Sequence, residues 1–159
     1  MSQMLHTINE ILAEHRLLHE NLHTLLQLAA TIRGASGEPT ADDPESTLRQ
    51  VRAQIEVVQE TLQAHFQREE DSLESIVRFG GHPEALSSLT ELWHDHTQLN
   101  NGMESLRQTA TTVNAGNRAP ADIKPLLDSA IQSLNTELTA HTRREGLLFA
   151  KLKDLLATQ

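Results

Sequence analysis

The chain has 159 residues, 13 Lys and Arg against 22 Asp and Glu for a formal charge of −9, nine histidines, and neither cysteine nor tyrosine. A single domain over residues 1–159 is expected, long enough to bury a core without disulfide or metal staples. The acidic balance argues against nucleic-acid or anionic-membrane partners, which need clustered Lys and Arg. The missing residue types exclude disulfides, thiolate nucleophiles, cysteine-held iron–sulfur clusters, thiolate zinc sites and tyrosyl radicals.

The first residues lack a basic stretch followed by an apolar one, and nothing approaches the ~18 apolar residues of a membrane span, so a cytoplasmic location is expected. Four stretches then carry apolar residues at 3–4 spacing, the helical period, and none alternates as a strand would. The first stripe runs Leu5, Ile8, Leu12, His15, His19, Leu22, Leu26, Ala29. Gly34 and Gly37 close it, and segment 34–43 is the expected mobile connection. Asp43-Pro44 reads as a cap with proline at the first helical position. The second stripe is Leu48, Val51, Ile55, Val58, Leu62, His65, Glu69, Ser72, Ile76, ended by Gly80-Gly81-His82-Pro83. The third is Leu89, Leu92, His96, Leu99, Met103, Leu106, Ala110, Val113, followed by a break from Asn114 to Asp122. The fourth is Leu127, Ile131, Leu134, Leu138, His141, Glu145, Leu148, Leu152, Leu155. Short connections make neighbouring helices antiparallel, so the expected fold is an all-α, up-down-up-down four-helix bundle.

The two halves resemble each other at polar positions. Glu14-His15 and Leu18 match Asp95-His96 and Leu99, and His65-x-x-Arg68-Glu69 matches His141-x-x-Arg144-Glu145. This reads as a duplicated helical hairpin whose repeat preserves polar residues inside apolar stripes. Core packing alone does not require that.

Counting 1.5 Å per residue from each turn puts His15, His65, His96 and His141 on one layer. Glu69 and Glu145 follow a histidine by four residues, on the same face one turn along. Buried unpaired carboxylates cost many kcal/mol, and the stripes hold no Lys or Arg to neutralise them. Two cations resolve this: His15 and His65 to one, His96 and His141 to the other, Glu69 and Glu145 bridging both. An oxo, hydroxo or water bridge adds a fifth ligand to each ion and leaves an open position. Imidazole with carboxylate suits iron, manganese or zinc, and the bridges with a vacancy favour two redox irons.

Among the remaining histidines, His19 lies on the stripe one turn from His15. It is either a core residue bonded to a flanking group such as Glu137 or Asn100, or an extra ligand, or a group behind the ligands that faces the open position. Leu18, Leu62, Phe66, Leu99 and Leu138 are the expected pocket walls. Glu70 falls off the stripe and is expected to be solvated, as are His6, His23, His82 and His94. Trp93 sits beside the stripe, at a bundle edge or dimer contact, and either a monomer or a homodimer is compatible with the pattern.

The ordered set Glu14-His15, His65-x-x-x-Glu69, Asp95-His96 and His141-x-x-x-Glu145 resembles the hemerythrin family, and its HHE cation-binding branch more than the oxygen carriers. The resemblance spans about residues 5–155. It implies a four-helix bundle with a non-haem di-iron centre that binds oxygen, nitric oxide or peroxide, for sensing, storage, detoxification or iron handling. Two positions depart from the oxygen carriers: Leu92 stands where they have a further histidine, and Gly146 where they have an aspartate. Both changes make the site more symmetric, remove one nitrogen ligand and tell against reversible oxygen carriage. A catalase-like or oxidase activity at the same centre is the enzymatic alternative. His141-Thr142-Arg143-Arg144-Glu145-Gly146 only echoes a histidine phosphotransfer motif, and a metal-free interaction bundle is the remaining reading.

Overall fold

The computed structural model describes residues 2–31, 44–80, 85–111 and 120–157, all of them helical. The helices are α1 (Ser2–Thr31), α2 (Pro44–Gly80), α3 (Ala85–Thr111) and α4 (Pro120–Ala157). Several sequence expectations lie outside the described residues: the breaks at Gly34 and Gly37, segment 34–43, the Asp43 cap, Gly81 to Pro83 with His82, Val113, and positions 114–119. Prolines open α2 and α4, where the first backbone N–H has no helical partner to lose.

Long-range contacts give the direction of each neighbour. His15 of α1 meets His65 of α2, while Asn21 accepts from Gln54. Between α2 and α3, Glu70 meets His96 and Arg52 donates to the Ala110 carbonyl. Asp95 of α3 faces His141 and Arg144 of α4, and Gly102 lies against Leu134. Between α1 and α4, Asn9 pairs with Lys153 and Ala29 with Lys124. In every pair the numbers rise along one helix as they fall along the other. The four helices form an antiparallel up-down-up-down ring, as the short connections require.

The stripes of α3 and α4 are buried nearly as drawn, with Leu155 half-buried. In α2, Leu73 rather than Ser72 reaches the core, and Phe66 joins it beside His65. The line of α1 needs correction. Its buried residues are Ile8, Ile11, His15, Leu18, Leu22, Leu25 and Ala29, whereas Leu5, Leu12, His19 and Leu26 are half-buried flanks. Leu17-Leu18 and Leu25-Leu26 make the apolar band of α1 wide, and two 3–4 lines fit within it. The helix turns the one led by Ile11 toward the bundle axis.

The apolar core is divided. A larger cluster includes Leu18, Leu62, Leu99 and Leu138 and extends to Ala29, Leu48, Ala110 and Leu127. A smaller one gathers Ile8, Ile11, Leu73, Leu92, Phe149 and Leu152, with others, at the opposite end of the bundle. Between the two lies a polar layer.

Candidate metal centre

That layer contains His15, His65, Glu69, His96, His141 and Glu145, all buried, the carboxylates completely so. Each helix supplies one histidine at the same height, and α2 and α4 each add a glutamate one turn along. The structure brings the imidazoles together as His15 with His65 and His96 with His141. The rings of His15 and His65 are 4.8 Å apart, as are those of His96 and His141.

Glu69 divides its two oxygens between the pairs. Oε1 lies 2.6 Å from His65 Nε2 and 3.2 Å from His15 Nε2, while Oε2 lies 2.9 Å from His96 Nε2 and 3.8 Å from His141 Nε2. Glu145 is less even: its Oε2 is 2.5 Å from His15 Nε2 and 3.4 Å from His141 Nε2. The donor atoms fall into two groups that could each hold an ion, His15 with His65, Glu69 and Glu145, and Glu69 with His96 and His141.

The outward ring nitrogens decide what this cluster can accept. His65 Nδ1 is 2.8 Å from Glu14, His141 Nδ1 3.2 Å from Asp95, and His96 Nδ1 3.1 Å from Glu70. An ionised carboxylate only accepts hydrogen bonds, so each of these Nδ1 atoms carries its proton and donates it. The inward Nε2 of a neutral ring is then a lone pair, facing carboxylate oxygens that are also lone pairs. His65, His96 and His141 Nε2, Glu69 Oε2 and both oxygens of Glu145 have no hydrogen-bond partner among the described residues. Acceptors facing acceptors in a dry layer repel unless cations or protons lie between them. Two ligands on one ion, with bonds of about 2.0–2.2 Å, stand roughly 3 Å apart, and most of the N···O separations fall near that value. Burial alone would raise the Glu69 carboxyl; where protons on the Nε2 atoms take the place of cations, hydrogen bonds from His141, His15, His65 and His96 hold it well below the usual carboxylate range.

Arginines brace the outer carboxylates. Arg68 pairs with Glu14. Arg144 grips Asp95 at two points, Nε to Oδ2 at 2.8 Å and Nη2 to Oδ1 at 2.7 Å. Such partners fix the ring tautomer and raise ligand basicity. Glu14, Asp95, Arg68 and Arg144 lie off the apolar stripes, and the only signal of their role in the sequence is that all four belong to the duplicated motif. Glu70 must be reassigned: its side chain is 43% exposed, yet it reaches His96 across the α2–α3 contact.

His19 bonds neither of its expected partners. Its Nε2 is 3.2 Å from the Thr142 hydroxyl, because Thr142 is level with it on the facing flank of α4. Glu137 is exposed and lies on the other flank, near Gly102 of α3. Desolvation by burial, with the adjacent His15 adding to it, lowers the His19 pKa. His19 belongs to neither ligand group. Leu18, Leu62, Leu99 and Leu138, with Leu22, Val58, Met103 and Leu134, line an apolar cavity of about 10 Å³ beside the polar layer, near the minimum that one water-sized molecule needs. Phe66 is not part of that wall. It stacks on His96, centroids 3.8 Å apart and planes within 12°, and Trp93 tilts against the same imidazole at 5.2 Å. His6, His23 and His94 are exposed.

An antiparallel helical bundle whose core is interrupted by four imidazoles and two carboxylates defines a class of cation-binding proteins. The chain belongs to the hemerythrin HHE cation-binding domain family, whose model matches residues 6–152. No curated protein and no solved structure matches it. No described helix is long and apolar enough to cross a membrane.

Proposed function

We propose that the chain is a non-haem di-iron protein that binds a small oxidant, such as oxygen, nitric oxide or peroxide. His15 and His65 would hold one ion, His96 and His141 the other, and Glu69 and Glu145 would span both. The observation that carries this reading is the division of Glu69, one oxygen toward each imidazole pair, in a layer where buried acceptors face one another. Iron, when bound, supplies one-electron redox chemistry toward small oxidants, and imidazole-rich ligation with only two anionic donors favours its ferrous state. The chain's own residues contribute the rest. Glu14, Asp95 and Glu70 keep three rings in the tautomer that offers Nε2 inward, and the apolar walls of Leu18, Leu62, Leu99 and Leu138 admit an uncharged diatomic more readily than a solvated ion.

Handling of such oxidants for sensing, storage or detoxification in the cytoplasm fits a chain without thiol or phenol to be consumed beside the centre. The test is an optical spectrum of the iron-loaded protein with metal analysis, recorded before and after oxygen. Two irons per chain and an oxygen-dependent change in the near-ultraviolet and visible bands are expected. Metal content near zero after loading, or a spectrum that neither oxygen, nitric oxide nor peroxide alters, would overturn the proposal.

A further inference from the structure

The duplication predicts a symmetric centre, and the direct donors largely obey it. The outer ring nitrogens do not. His65 and His141 are counterparts, and each has a carboxylate braced by an arginine: Glu14 with Arg68, and Asp95 with Arg144. His15 and His96 are also counterparts, but among the described residues only His96 has a partner at Nδ1, Glu70. The position matching Glu70 in the second half is Gly146. Accordingly His15 Nδ1 is buried with no hydrogen-bond partner among the described residues. The space is real: a Cβ added at Gly146 would meet nothing within 4 Å. Glycine is unfavourable in a helix interior, and no close approach of backbone requires it there.

We infer that the two ion positions are unequal, and that Glu70 is a positioning residue that makes the His96–His141 position the tighter one. The inference rests on the metal reading above. Glu145 Oε2 lies at 2.5 Å from His15 Nε2 and 3.4 Å from His141 Nε2. Since ligands sharing one ion stand roughly 3 Å apart, it serves either side after a small shift. As the structure stands, the His15–His65 group has both carboxylates and the His96–His141 group only Glu69; once Glu145 moves to serve both, the direct donors match and the difference left is at Nδ1. At the His96–His141 position both rings donate to a carboxylate, which orients them and enriches Nε2. At the His15–His65 position only His65 does, and an ion bound to His15 Nε2 leaves a buried N–H with no acceptor among the described residues. Phe66 stacks on His96 and Trp93 tilts against it, with no such aromatic neighbour of His15 beyond the His65 ring among the described residues, which further restrains one ring and not the other. Outer partners of this kind change metal affinity about 10–100-fold.

The test is an anaerobic titration of the full chain with cobalt(II), followed by its visible absorption in competition with a chelator. The parent should bind two ions in steps at least about tenfold apart. Glu70→Gln should weaken the tighter step alone by about tenfold or more, whereas a general loss of folding would weaken both. Gly146→Glu places a carboxylate opposite His15 in open space on a better helix former, and should strengthen the weaker step so that the two converge. Two equal steps in the parent, or equal weakening of both by Glu70→Gln, or a weaker step that Gly146→Glu leaves in place, would overturn this inference while leaving the metal reading intact. Failure to bind cobalt at all would overturn both.

Discussion

Glu69→Gln removes one anionic oxygen from each ion position in a single substitution, since its carboxylate faces both imidazole pairs. Loss of an outer partner of a ligand costs about 10–100-fold in affinity, and loss of a direct donor is expected at or above the upper end of that range. At an ion concentration 100 times the dissociation constant, one bound ion stabilises the fold by about 2.7 kcal/mol; weakened 100-fold it contributes only about 0.4 kcal/mol. The difference is roughly 2.3 kcal/mol per ion, or about 4–5 kcal/mol for the pair. In a chain of this size that lowers Tm by about 9–18 °C. The assay is thermal unfolding by circular dichroism with and without chelator, beside a metal titration. The amide can still bond one imidazole, so the metal-free variant should fold, and chelator should close most of the gap between variant and parent. A gap of the same size in chelator, or an unchanged titration, would show that Glu69 acts through packing or proton sharing rather than through cations.

Acid should strip the centre. Free imidazole titrates near pH ~6.5 and must be neutral to bind metal, so metal content measured after buffer exchange should collapse below about pH 5–6, and full retention at pH 4 would contradict the ligand assignment. His19→Leu should leave the ion capacity unchanged, because His19 bonds Thr142 outside both ligand groups. It should also flatten the acid side of the stability profile. The folded pKa of His19 lies below its unfolded value, so the unfolded chain binds the proton first and stability falls as pH drops through about 6.5. An unchanged slope in urea unfolding between pH 7 and 5.5 would refute that part. Phe66→Ala, deleting a buried ring stacked on His96, should cost the metal-free chain about 3–5 kcal/mol, read by urea unfolding in chelator.

The bundle and the six inward residues were legible because both follow from one periodicity. Positions such as His65 and Glu69, four apart, lie on a single face of a single helix, and a repeat of that face in the second half marked it as more than packing. What stayed illegible depends on relations between helices. Glu14 and Asp95 precede a ligand by one residue, which turns them about 100° around their own helix, and they serve the ligand of the neighbour instead. Glu70 looks solvated along α2 and is a hydrogen-bond acceptor only once α3 is beside it. The buried line of α1 runs through Ile11, Leu18 and Leu25 rather than the adjacent Leu12, His19 and Leu26, because neighbouring apolar residues leave the rotation of that helix undetermined until α2 and α4 close on it. The same rotation explains why His19 stands at the flank of the layer rather than within it.

The polar layer also splits the hydrophobic core into a large cluster and a small one, and this bears on how the fold opens. The small cluster holds the first turns of α1 and the last turns of α4, where fraying begins. Without cations, the layer beneath it is an electrostatic fault across which little apolar contact passes, so that end can unravel as a separate cooperative unit. With cations, the four helices are clamped at the fault and the units merge. Amide hydrogen exchange would register this as protection that spreads from residues 18–29 toward residues 5–11 when metal binds, which makes the ion a coupling device for the fold as much as a reagent held inside it.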